Sequence, residues 1–434
     1  MTNTRALVLI AVSVVLVRCV VFLVYPEDGP HVQGRNPDGW LKVAHNVMRG
    51  HGFVLDDSNP TARRGPTVIY FFAVVLWLGG DSLWSIIIAQ WLADIGTAIL
   101  LFFITYEIFH DRRVAVFASL LFALYGSGLV YTFRAWSEPV STLALAGFTW
   151  SLLRALRQPS HWRFALCGGL LGLTVLARPV MQFYPLVVLP LMWWTLARPW
   201  RQVLSRFAVF CVIFAAVLLP WVVRNYLVFQ AFIPGASHGG HALYQGHFTL
   251  DQPDYLRYRT VQSSHPALRQ VLEARFGPAP EHPELYHYAR AKGLNEYEVN
   301  RIAFQEAIKA ILAFPDRYVV ASLVRCARLW LGSRFVALLM GRGSPWGYLV
   351  AAANGALLGL AVAGVVCFRG AWLRSAVPLM VLLAYTTAIY MVTFAVARYS
   401  VPVMPYVMVF AAQTMVSLLP SRGTAKNISP EHIS

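Results

Sequence analysis

Apolar residues run through this chain in long blocks, broken by short basic turns and by two longer polar stretches. A helix needs about 20 apolar residues to cross a bilayer, whereas 10–14 suits a re-entrant or interfacial segment. On that measure ten spans are expected, at 6–25, 84–108, 114–133, 137–156, 163–180, 181–197, 206–223, 346–368, 374–395 and 400–419. The run 67–78 is too short to cross and is bounded by Gly65-Pro66 and Gly79-Gly80, so it is expected to lie at or dip into the outer interface.

Charge fixes the orientation. With the N-terminus inside, the turns 109–113 (FHDRR), 154–163, 198–206 and 369–374 and the tail 421–434 all fall on the cytoplasmic side, and each is basic. Counting 67–78 as a span would put FHDRR outside and invert everything after it. The expected fold is therefore an all-α integral membrane protein, a polytopic helical bundle over residues 1–420 with outer segments at 26–83 and 224–345. The second segment contains an amphipathic pattern near 296–313. A further stretch at 316–334 sets arginines among apolar residues, as in a helix lying on the membrane surface.

Composition agrees: 57% of residues are hydrophobic and 13% charged, about half the charged share of a soluble domain. The net charge of +16 would point to nucleic acid in a soluble protein. Here it sits in the turns that encode orientation, so no nucleic-acid partner is expected. The five cysteines form no CxxC, and neither a disulfide framework nor a zinc site follows.

Sorted by side, Asp38, Arg64, Arg134, Glu138, Arg178, Arg224, Asn225, His238, His241 and Arg398 all fall at outer span ends or in outer segments. Acids and arginines gathered at one face suit chemistry on an anionic lipid-linked substrate, because guanidinium matches phosphate with a fixed fork of donors. Asp38 opens NPDGWLKVAHNVMRG, a short helix ending at Gly50, and either caps it or serves as a base. Glu138 opens the span after RAWS and is either a helix-terminus acid stabilised by the dipole or a second acid facing Asp38. In PWVVRNYLVFQAFIPGASHGGH, Arg224 and its aromatic neighbours are either interfacial anchors or part of a donor site. His238 and His241 form an HxxH without a nearby acid, a weak metal signal. Arg18 and Asp94 lie inside spans and read best as a structural ion pair between neighbouring helices, the alternative being a role in lining the donor path.

In order, the chain carries DGWLKVAHNVMRGHGF, TARRGP, SEP, ARP, PWxxRNY and ARYxxPxxP. This set resembles the bacterial glycosyltransferase family 39 group, similar to dolichyl-phosphate-mannose–protein mannosyltransferases and the aminoarabinose transferases of lipid A, over roughly residues 1–420. The resemblance implies a GT-C bundle in the bacterial inner membrane with its site facing the periplasm or exterior. It implies a polyprenyl-phosphate sugar donor, a lipid, glycan or protein acceptor, and inversion at the anomeric carbon. Asp38 matches the essential first-loop acid and Glu138 a recurring second acid. Arg64, Arg178, Arg224 and Arg398 match basic positions that meet the donor phosphate, and Asn225, His238 and His241 belong to the substrate loop. Two departures stand out: Asp38 is followed by Gly39 where relatives carry an acidic pair, and the usual Arg-Pro-Pro is Arg64-Gly65-Pro66. A divalent cation stays open on this pattern, and no other cofactor is implied. The rival readings are a lipid-linked saccharide flippase or transporter, and a glycan ligase or polymerase that uses a lipid-diphosphate donor.

Overall fold

The computed structural model describes residues 2–24, 39–55, 59–196, 198–256, 261–282, 284–332, 345–367, 370 and 372–419. Asp38 and the tail 421–434 lie outside the described residues. Within them, the chain is an all-α integral membrane protein of eighteen α-helices joined by turns and two short 3-10 segments.

The helices at the expected spans are α1 (Asn3–Val24), α4 (Leu83–Phe109), α5 (Arg112–Ala123), α6 (Gly126–Thr132), α7 (Glu138–Arg157), α8 (His161–Ala177), α9 (Pro185–Leu196), α10 (Trp200–Phe229), α16 (Pro345–Cys367), α17 (Trp372–Val392) and α18 (Met404–Leu418). Five of them are long and apolar enough to cross a membrane: α1, α4, α10, α16 and α17. The span expected at 114–133 is instead α5 and α6, bent by 56° at a break of a few residues. The remaining expected spans coincide with α7, α8, α9 and α18, which are shorter or carry charge at their ends.

Three boundaries differ from the hydropathy reading, each for a local reason. Helix α8 stops at Ala177 because Pro179 follows, and Pro179–Phe183 turns as a 3-10 segment before α9. The last span starts only at Met404, after the 3-10 turn Ala397–Ser400. Helix α10 runs to Phe229, so Arg224 and Asn225 sit on a helix rather than in the loop after it. Its 30 residues reach about 45 Å, well beyond the hydrocarbon core.

Core position follows from composition. Helix α18 is apolar all round and buried from Met404 through Ala412, which makes it a central post packed by α5 and α16. Helix α8 lies between α7 and α10, and α4 between α1, α5 and α7. Inside the bundle Arg18 donates from Nε and Nη2 to Asp94 Oδ2, at 3.0 and 2.6 Å, tying α1 to α4. Removing one member of such a buried pair costs about 3–5 kcal/mol.

Two groups of short helices stand at one end of the bundle, termed here the loop end. The first comprises α2 (Trp40–Met48) and α3 (Pro66–Gly79). Gly39 opens α2 at φ +69°, a left-handed position that costs glycine little, so the helix cap is Gly39. The 14 residues of α3 extend about 21 Å, too short to cross. The second group is α11 (Gly239–His247), α12 (Val261–Phe276), α13 (Leu285–Ala291), α14 (Glu296–Ala313) and α15 (Pro315–Leu331). Helices α11 to α14 enclose a small core of their own around Leu268, Leu272, Tyr288 and Val299. Helix α15 carries buried Arg325 and Arg328 and packs on α17 and on the Ala397–Ser400 turn. Arg325 holds three elements at once, donating to Met391 O at 2.7 Å, Gly246 O at 2.9 Å and Ser322 Oγ at 2.8 Å.

Candidate functional site

Three of the expected residues meet at the loop end. Glu138 is the first residue of α7, and Pro139 beside it supplies the fixed backbone angle that favours a helix start. Arg178 caps the end of α8, and Arg398 lies in the 3-10 turn before α18. The Glu138 side chain is 1% exposed. Its Oε1 accepts from Arg398 Nε and, at 3.5 Å, from Arg178 Nη1. Its Oε2 is buried and has no hydrogen-bond partner. Aromatic faces hold both cations: Arg398 sits 3.8 Å from the Trp136 ring centre and Arg178 5.1 Å from that of Tyr399. Among the described residues two guanidiniums meet one carboxylate in a poorly solvated place, a setting suited to an oxyanion.

The first loop-end group abuts this cluster through glycine. A Cβ on Gly65 would overlap the carbonyl of Leu176, so only glycine lets the start of α3 lie against the end of α8, two residues before Arg178.

The other expected residues are distributed around the cluster rather than in it. Arg64 lies 5.1 Å from the Trp40 ring centre, at the start of α2. Arg224 donates from Nη1 to Thr61 O at 2.8 Å and from Nη2 to Phe53 O at 2.9 Å, and it is ringed by Phe53, Trp221 and Phe229. Asn225 accepts from Arg224 at 2.9 Å and donates to Ile233 O at 2.9 Å. Arg224 and Asn225 thus pin two loop backbones to α10.

His238 and His241 stack at 5.1 Å between ring centres in the second group. His241 is buried, with Nε2 3.3 Å from Ser264 Oγ and Nδ1 3.3 Å from the Tyr286 hydroxyl. Burial first, then neighbouring His238, His265 and Arg63, hold its pKa well below the usual imidazole value. Burial also lowers His265 to about 4, with Arg63 adding to the effect, and lowers His247 to about 3 with help from Arg325.

Several partners escaped the sequence reading. Glu296, at the start of α14, accepts from Ala62 N at 2.5 Å, Ser237 Oγ at 2.6 Å and Thr61 Oγ1 at 3.0 Å, sewing the first loop-end segment to the second. The capping box of Asn295 and Glu298 marks that helix start in the sequence, but nothing there signals a reach across more than 230 residues. Arg63, next to the expected Arg64, stacks 4.0 Å from the centre of the Tyr286 ring, and its buried Nε has no partner. Trp136 was legible only as part of the RAWSEP run.

Beside Glu296 opens a cavity of about 1170 Å³, lined among others by Lys42, Arg63, His265, Tyr286, Arg290 and Glu296. Among the described residues no three His, Cys, Asp or Glu side chains converge as a metal site. Among the described residues two arginines already hold the Glu138 carboxylate, so that donor set does not fit a dication.

Residues 63–223 match the sequence model of a family described as dolichyl-phosphate-mannose-protein mannosyltransferase, a stretch holding Arg63, Arg64, Glu138 and Arg178. A search of curated proteins gives no match. Among solved structures, the chain is similar to the oligosaccharyltransferase AglB of Archaeoglobus fulgidus in complex with an inhibitory peptide and a dolichol-phosphate. Identity is 14% and the TM-score 0.52, over 95% of this chain and 50% of that one. The apo form of an Archaeoglobus fulgidus oligosaccharyltransferase gives 16% and 0.54 over the same shares. ArnT of Cupriavidus metallidurans bound to undecaprenyl phosphate gives 15% and 0.42, covering 96% of this chain and 78% of that one. The chain thus spans about half the length of the archaeal enzymes. At these identities the likeness establishes the fold, a polytopic membrane bundle of the GT-C type that the sequence motifs lead one to expect.

Proposed function

We propose that the protein is a membrane glycosyltransferase that moves a sugar from a polyprenyl-phosphate carrier to an acceptor at the outer face of a bacterial inner membrane. The observation that carries this reading is the buried Glu138 held by Arg178 and Arg398 at the loop end, with one bare carboxylate oxygen. The positive-inside pattern reads that end as exterior. The match of residues 63–223 to a family named for a dolichyl-phosphate-linked sugar donor supports the donor class. So does the shared fold of AglB, solved with a dolichol-phosphate.

In the proposed step Asp38 takes the proton of an acceptor hydroxyl, whose oxygen attacks the anomeric carbon. The bond from that carbon to the phosphate oxygen breaks, and its electron pair leaves with the polyprenyl phosphate. Arg178 and Arg398 are placed to meet the charge that grows on this phosphate, an interaction stronger in the transition state than before it. Glu138 holds both guanidiniums in register, and aromatic stacking by Trp136 and Tyr399 limits their freedom. Arg64, packed on Trp40 just after Asp38 and Gly39, is assigned to the donor side of the first loop. Arg224 and Asn225 act by anchoring that loop. His238 and His241 form one wall of the second group, and the cavity of about 1170 Å³ is the acceptor chamber. No step is routed through a metal.

The test is transfer of labelled sugar by purified, lipid-reconstituted protein from a panel of polyprenyl-phosphate sugars, wild type beside Asp38→Asn. Turnover lost with donor binding retained supports the assignment; full activity in Asp38→Asn sinks it. Competition between monophosphate and diphosphate donors separates this reading from a ligase of the lipid-diphosphate kind.

A further inference from the structure

At the opposite end of the bundle a second cleft opens where four helices finish or begin. It has a volume of about 390 Å³ and lies among the end of α4, the end of α7, the end of α9 and the start of α17. Glu107, Arg157, Trp194, Thr195, Arg374 and Ser375 contribute to its wall, with leucines and Pro378 behind them.

The charges in this cleft are unequal. Glu107 is already met twice, by Arg154 Nη1 at 2.8 Å and by Arg157 Nη1 at 2.6 Å, so its charge is more than balanced. Arg374 adds a third guanidinium, exposed at the mouth and in no ion pair with the described residues. Trp194, which also lines the cleft, is 56% exposed, with Trp193 at 59% on the same helix end. Exposed tryptophans beside arginines at a span end mark the headgroup level of a bilayer, where an indole sits between apolar and wet surroundings. The turns at this end are the basic ones, so the positive-inside pattern reads it as cytoplasmic, the leaflet rich in anionic lipid.

We propose that this cleft is a binding site for an anionic glycerophospholipid, its phosphate on Arg374 with Arg157 and Arg154 supplying the surrounding positive field. Thr195 and Ser375 line the space for the glycerol hydroxyls, and the acyl chains leave along the Trp193–Trp194 flank. Basic pockets between membrane helices hold lipid headgroups by this combination of charge and apolar wall. The site lies at the far end from Glu138 and does not depend on the catalytic reading. A lipid here would brace the ends of α4, α7, α9 and α17 against one another.

Native mass spectrometry of the full chain released from micelles tests this directly, with phosphatidylglycerol, phosphatidylcholine and inorganic phosphate as probes. Retention of phosphatidylglycerol over phosphatidylcholine is expected, falling about fivefold in Arg374→Ala. Arg374→Lys keeps most of it, and so does Arg198→Ala, which removes an exposed arginine at the same end outside the cleft. An unchanged elution profile on size exclusion certifies that each variant is folded. Equal retention of the two lipids, or unaltered phosphatidylglycerol binding in Arg374→Ala, overturns the site. Displacement by millimolar inorganic phosphate alone identifies a free-phosphate site and overturns the lipid assignment.

Discussion

Glu138 and Glu296 occupy the same kind of position and are treated in opposite ways. Each is the first residue of a helix at the loop end, where the dipole favours a carboxylate. Glu296 receives three neutral donors, from Thr61, Ala62 and Ser237, and both of its oxygens are engaged. Glu138 receives two cations through a single oxygen and keeps the other bare while buried. Neutral donors satisfy an acid without adding charge, which is what a seam between two loops requires. Cations around an unfilled acid concentrate field instead, at a cost in stability that a purely structural acid would avoid. On the proposed function, the comparison separates an acid that joins two loop segments from an acid that holds the donor-side arginines.

The largest effect should come from breaking the charge balance at Glu138. Arg398→Ala leaves the buried carboxylate with one distant partner and should cost about 3–5 kcal/mol, read as thermal unfolding in detergent. Adding Glu138→Gln to that variant should recover most of the stability but none of the transfer activity. Full recovery of activity in the double variant would mean that the cluster is only structural.

At Glu296 the expected loss is smaller and falls elsewhere. Glu296→Gln keeps the shape but replaces one of the two accepting oxygens with an NH2 donor, so at least one of the three donors loses its acceptor, costing about 1–3 kcal/mol locally. Hydrogen exchange should rise at residues 59–65 and 233–239, with turnover reduced mainly through weaker acceptor binding. A variant with normal exchange but no turnover would place Glu296 in the chemistry and erase the contrast.

Much of this arrangement was legible in the sequence, and the reasons are physical. Periodicity is indifferent to distance, so the bundle could be read from apolar run lengths and basic turns. The proline after Arg178 and the Ser-Glu-Pro start of α7 are local signals, and they placed two members of the cluster at helix ends. Burial and pairing are not local. Hydropathy ended the seventh span near Arg224, because a charge breaks an apolar run, yet α10 carries that arginine on a helix that continues to Phe229 and clamps Thr61 and Phe53. Glu296 was invisible as a seam because its partners lie in two other segments. The motif singles out Arg64, and nothing in the pair of adjacent arginines says that Arg63 is the one that meets Tyr286.

A further effect should appear with pH, on the Glu296 side. His241, His265 and His247 are held neutral by burial, so their folded pKa values lie below that of the unfolded chain near 6.5. As pH falls below about 6.5 the unfolded state takes up protons that the folded state refuses, and stability drops, for His265 down to about pH 4 and for His247 down to about pH 3. Each histidine contributes up to about 1.4 kcal/mol per pH unit in that window. Exchange in residues 239–313 should accelerate between pH 7 and pH 5.5, while the helices around Glu138 keep their protection. Equal acceleration in both regions would remove the distinction.

The most direct test of the central claim is single-turnover consumption of a labelled polyprenyl-phosphate sugar in reconstituted vesicles, with wild type, Glu138→Gln and Glu296→Gln side by side. The account predicts consumption by wild type and, more slowly, by Glu296→Gln, with loss of about a hundredfold or more in Glu138→Gln. Consumption by Glu138→Gln at the wild-type rate would contradict it, as would labelled lipid crossing the bilayer intact in all three proteins.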